Sequence, residues 1–161
     1  MKAATIRELK LELSKRSSTE LLEFCLLLSK FKIENKELLT YLLYEASDEA
    51  TYIHNIKEEI AQQFQQINTS SYYFIKKSTR KILRNTNKFI RYSKKKETAV
   101  ELLICFCSEL KKIKPSMENN VSLVNIYNRQ IMAIKKILPS LHDDLKYDYE
   151  TELKAMMKLD E

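Results

Sequence analysis

Apolar residues recur at intervals of three and four along most of this 161-residue chain, the spacing that lines one face of an α-helix. Leu38, Leu39, Leu42, Leu43 and Ala46 form one such stripe, and Ile53, Ile56, Ile60, Phe64 and Ile67 another. Val100, Leu103, Ile104, Cys107 and Leu110 form a third, and Val124, Tyr127, Ile131, Ile134 and Leu138 a fourth. Strand-like alternation of any length is hard to find. The polar residues between the stripes read as helix punctuation. Thr5 with Glu8 and Ser17 with Glu20 fit capping boxes, in which the hydroxyl takes an orphan N–H and the carboxylate reaches back. They predict a short helix to about Ser14 and a second over Thr19 to Phe31. Asn35 and Asp48 are expected to cap a third and a fourth helix.

Asn68 to Ser71 reads as a polar break, the lysines at 94–96 as a bend, and Pro115-Ser116 as a boundary. Ser116 or Asn119-Asn120 then starts a seventh helix. Pro139 and Ser140 open a last one that carries Leu141, Leu145, Leu153, Met156 and Met157. The expected fold is all-α, with seven or eight helices in a compact bundle or a short right-handed array of stacked helix pairs of the HEAT or TPR type. A chain of this length is expected to form one domain, 1–161.

Composition sharpens that picture through an absence: the chain has no glycine and only two prolines, Pro115 and Pro139. Glycine supplies the positive-φ corners of hairpins and phosphate loops, so the chain has few ways to build hairpins and phosphate-cradling loops are excluded. An internal echo runs the other way. Leu21 to Lys32 and Leu103 to Lys114 share the frame apolar-apolar-x-Phe-Cys-x-x-Leu-x-Lys-apolar-Lys at an offset of 82 residues. It suggests two related helical units, about 17–67 and 98–138, although the glycines and prolines of the tetratricopeptide and ankyrin consensus patterns are missing. Two buried amphipathic helices with basic C-termini would also look alike by chance.

Charge changes the picture most. The net charge is +6, but residues 61–116 hold 13 basic and 3 acidic groups, while the segments on either side are each net −2. Between Ile60 and Lys96 there is no acid and there are ten basic residues. On a helix starting near Tyr72, Ile75, Ile82, Leu83, Phe89 and Ile90 fall on one side. Lys77, Lys81, Arg84, Lys88 and Arg91 follow a 4-3-4-3 spacing on the other, a cationic ridge about 20 Å long. With Arg80 and Lys95, these are the candidate contact residues for a polyanion or partner. Solvated helix faces normally mix signs because like charges at i,i+4 repel. An all-cationic face therefore points to an acidic protein surface or a nucleic-acid backbone, or else to pairing with the chain's own acids at Asp143, Asp144, Asp148, Glu150 and Glu152, with a plain solvated face as the remaining alternative. Tyr72, Tyr73 and Tyr92 could stack on bases or sit at the core margin, and Ser70, Thr79, Asn85 and Asn87 could donate to phosphates.

Catalytic patterns are weak throughout. Neither His54 nor His142 has a glutamate three residues before it, as a di-iron bundle requires, and Glu45, Glu49 and Glu58 near His54 read as ordinary surface charges. Cys25, Cys105 and Cys107 are an odd number in apolar segments and read as core residues. No catalytic residue, metal or cofactor is expected. The longest apolar runs fall well short of a membrane span, so no membrane partner is expected and the localisation is read as cytoplasmic. The expectation is a non-enzymatic helical interaction or scaffold module using its cationic helix face. The alternative is a sequence-independent DNA- or RNA-binding protein that lays this face on the phosphate backbone. Oligomeric state is not legible in the sequence.

Overall fold

The computed structural model describes residues 1–158, and it is all-α: 82% helical, with eight helices and no strand among the described residues. The chain divides into two compact units, Met1–Tyr44 and Glu45–Glu161. The boundary falls inside the 17–67 unit that the internal echo suggested, within a π-helical turn at Tyr41–Glu45.

The first unit contains α1 (Ile6–Leu13), α2 (Ser18–Phe31) and α3 (Ile33–Thr40). Both capping boxes form. Thr5 Oγ1 accepts from the Glu8 N–H at 3.3 Å while Glu8 accepts from the Thr5 N–H at 2.7 Å, and Ser17 and Glu20 repeat the exchange at 3.3 and 2.9 Å. Asn35 does not cap α3, which starts earlier, after the extended Lys32. Its side-chain amide instead donates to the Leu28 carbonyl at 2.8 Å. That carbonyl is one of the last four of α2, which have no partner within the helix, so Asn35 closes the preceding helix rather than opening the next. No residue of α1, α2 or α3 is buried.

The second unit contains α4 (Glu49–Gln65), α5 (Tyr72–Ser93), α6 (Lys96–Lys112), α7 (Val121–Ile137) and α8 (Asp143–Lys158). Asp48 caps α4 as expected, accepting from the Thr51 N–H at 3.1 Å. Ser116 caps a short 3-10 turn at Met117–Asn119, and Asn120 caps α7, so both candidate starts are used in succession. α6 is the central helix and packs against α4, α5, α7 and α8. That is bundle packing around one element; in a stacked array each unit touches only its neighbours. Nine residues of α6 are buried. Phe106 is fully enclosed and meets Phe64 of α4 edge to face, with ring centroids 5.4 Å apart. The stripes of α4 and α6 are buried at every expected position, and that of α7 at every one but Val124, which is half-buried.

Candidate functional site

α5 spans 22 residues, and its buried line is Ile75, Thr79, Ile82 and Thr86, spaced 4-3-4. The two threonines correct the sequence reading. Both are fully buried, because a threonine has nearly the volume of a valine and fits the same seam. Thr86 Oγ1 donates to the Ile82 carbonyl at 3.0 Å, whereas Thr79 Oγ1 has no hydrogen-bond partner among the described residues. Thr79 is therefore unable to reach a phosphate. Leu83, Phe89 and Ile90, placed at the centre of the buried face from sequence, sit half-buried at its flanks. Tyr92 is also buried, and the Tyr72 hydroxyl donates to the Ser116 carbonyl at 2.7 Å, so neither ring stands open for a base to stack on. Tyr73 remains exposed.

With the seam fixed this way, the opposite face carries the cations. Lys77, Arg80, Lys81, Arg84 and Arg91 are exposed and Lys88 is half-buried. Lys88 lies with its ammonium 4.9 Å from the centroid of the Phe89 ring. Arg80 donates to Ser122 Oγ of α7 at 3.1 Å, which steers its guanidinium toward that helix. Lys77, Lys81, Arg84 and Arg91 take part in no ion pair among the described residues. They occupy about 21 Å of helix axis at 1.5 Å per residue. Beside this row, Lys81 and Asn85 with Ser78 and Ile82 form one wall of a groove of about 320 Å³, whose other wall is Gln63, Gln66 and Ile67 at the end of α4.

Lys95 has another role. α5 stops at Lys94, whose φ of 59° is the left-handed conformation that glycine usually supplies and whose N–H donates to the Ile90 carbonyl at 2.9 Å. The turn into α6 is then fastened by Glu49 of α4. Its carboxylate accepts from the hydroxyls of Ser93 and Thr98, the latter at 2.5 Å, and pairs with the Lys95 ammonium at 3.0 Å. Glu49, weighed with Glu45 and Glu58 as a metal ligand, is thus committed to this joint.

Among the described residues no acid of the C-terminal helix pairs with Lys77, Lys81, Arg84 or Arg91. α8 packs on α6, where Tyr149 donates to Glu101 at 2.9 Å and Lys111 donates to the Met156 carbonyl at 2.7 Å. Glu101 also pairs with Lys57 at 2.6 Å. Burial and the Glu101 carboxylate push the Tyr149 phenol above its ordinary range. Of the cysteines, Cys107 is buried and Cys105 half-buried. Their thiols are pushed up to about 12 and about 11, chiefly by burial. Cys25, expected in the core, is exposed. Among the described residues no group of three or more histidines, cysteines or acids is placed to hold a metal ion. No helix among them is long and apolar enough to cross a membrane. Comparison with protein-family models, curated proteins and solved structures finds no match to this chain.

Proposed function

We propose that this chain is a non-enzymatic helical binding module that engages an anionic partner through the cationic face of α5. The observation that carries the reading is the row of Lys77, Lys81, Arg84 and Arg91, exposed along one helix and free of ion pairs within the described residues. Holding like charges at i,i+3 and i,i+4 costs a few tenths of a kcal/mol per pair, a cost that an anionic partner reverses.

A second reading is that the partner is the phosphate backbone of DNA or RNA, contacted without regard to sequence. It is favoured by the 35 acid-free residues 61–95 and by the polar groove that adjoins Lys81, where amide side chains could meet a sugar or an unpaired base. The test is fluorescence anisotropy with generic duplex DNA and single-stranded RNA at 50 and 200 mM salt. Four phosphate contacts would lower duplex affinity about 100-fold between those salt concentrations. Reversing Lys77, Lys81 and Arg84 to glutamate should abolish binding and leave the melting temperature in place. Binding to poly-glutamate but to neither nucleic acid supports the protein-surface reading alone. Binding to none of the three overturns both.

A further inference from the structure

Phe24, Leu27, Leu28 and Phe31 sit at i, i+3, i+4 and i+7 on α2, the spacing of a helix seam, yet they are 39%, 68%, 59% and 78% exposed. Leu22, Cys25 and Leu26 on the other sides of this helix are exposed as well, and side chains of these types are normally buried. The four seam side chains together leave about 500 Å² uncovered, judged from their exposed fractions and the usual area of such side chains. The largest apolar patch on a monomer is about 300–600 Å², and a stable complex covers about 800 Å² on each partner. The seam alone reaches the size of the largest apolar patch on a whole monomer.

The charges beside the seam say what fits it. Glu20 and Glu23 stand at the N-terminal end of α2, and Lys30 and Lys32 at its C-terminal end. Glu20 is engaged in its capping box and with Arg16, but Glu23, Lys30 and Lys32 form no ion pair among the described residues. A helix that is acidic at one end and basic at the other is complementary to an antiparallel copy of itself, with the acids of each facing the lysines of the other. The opposed helix dipoles act in the same direction. A second copy also brings an equal apolar seam that needs the same cover, which is the condition for an isologous two-fold contact. We propose that this chain self-associates as a two-fold dimer through the Phe24–Leu27–Leu28–Phe31 seam, with α2 packed antiparallel on its copy. The inference is independent of the cationic face of α5 and stands or falls without it.

Mass by light scattering on the full chain, at tens of micromolar, should give twice the 19.1 kDa of one chain. The double substitution Leu27→Glu with Phe31→Glu should weaken association at least about 100-fold while helicity stays the same, since neither side chain is buried. A single-chain mass for the unmodified protein overturns the proposal, including the case in which the seam is covered from within the chain. So does a dimer that the double substitution leaves intact. If the double variant loses helicity, charge reversal decides: Glu23→Lys should weaken the dimer about tenfold, and adding Lys30→Glu, on the same flank of the helix, should restore it. Failure of that rescue overturns the antiparallel arrangement. Light scattering without added nucleic acid keeps this test separate from the anisotropy experiment.

Discussion

α2 and α6 are written in nearly the same residues and end in opposite environments. Phe24 and Phe106, Cys25 and Cys107, Leu28 and Leu110, and Phe31 and Ile113 occupy equivalent places in the shared frame. In α6 every one of these is buried, and in α2 every one is exposed. The helices form equally well, because capping, dipole and propensity act within each helix and do not depend on what lies outside it. Burial is a property of neighbours: α6 has four helices around it, and a residue pattern alone does not summon them. The comparison separates what makes a helix from what makes a core.

The strongest way to break that comparison is to truncate the equivalent phenylalanines. Phe106→Ala should cost about 3–5 kcal/mol in urea unfolding of the second unit, because the fully enclosed ring leaves a cavity beside Phe64. Phe24→Ala, measured at dilutions where the mass is that of one chain, should change stability by less than about 1 kcal/mol. Equal losses would mean that α2 is enclosed as α6 is.

A smaller effect probes the quality of the burial in the second unit. Thr79→Val keeps the shape of the side chain and removes a buried hydroxyl without a partner, so stability should rise by about 1 kcal/mol. A fall in the urea midpoint would mean that the hydroxyl is satisfied in solution.

The smallest effect separates the units by pH. Hydrogen bonds from the Thr5 and Ser17 backbone N–H groups, and then from their hydroxyls, hold the Glu8 and Glu20 carboxyls below their ordinary 4.5. Groups with depressed values contribute stability above the unfolded value and lose it as pH falls through the folded one. The first unit has no buried residue in its three helices to offset that loss, so its helical signal should decline in acid before the tyrosine signal of the packed second unit. Thr5→Ala with Ser17→Ala should remove the difference. Coincident transitions of helical and tyrosine signals in the unmodified protein would sink the idea.

Much of the fold was legible from local chemistry. The two capping boxes, the Asp48 cap, the break at Asn68 to Ser71 and the stripes of α4 and α6 all follow from side chains within a few residues of each other. The cationic row was legible too, since its 4-3-4-3 spacing needs only the helical period. What escaped was decided across helices. Thr79 and Thr86 read as polar in the chain and act as core spacers because α5 crosses its neighbours there. Lys95 counts with the cationic run until Glu49, 46 positions earlier, claims it. Asn35 looks like a cap for the helix after it and serves the helix before it. Cys25 is exposed although Cys107, its equivalent in the shared frame, is buried.

The missing glycines bear on the denatured chain as well as on the turns. Every position carries a Cβ, so the unfolded ensemble has fewer backbone states to surrender than one with glycines along its length. At each helical position that would otherwise be glycine, the saving is roughly 0.5–1 kcal/mol relative to alanine-like residues. Lys94, forced into a left-handed corner without that residue, is where the same economy carries a local strain. Helices that bury no residue, such as those of the first unit, draw the greater advantage, because for them a smaller entropy of ordering takes the place of a core.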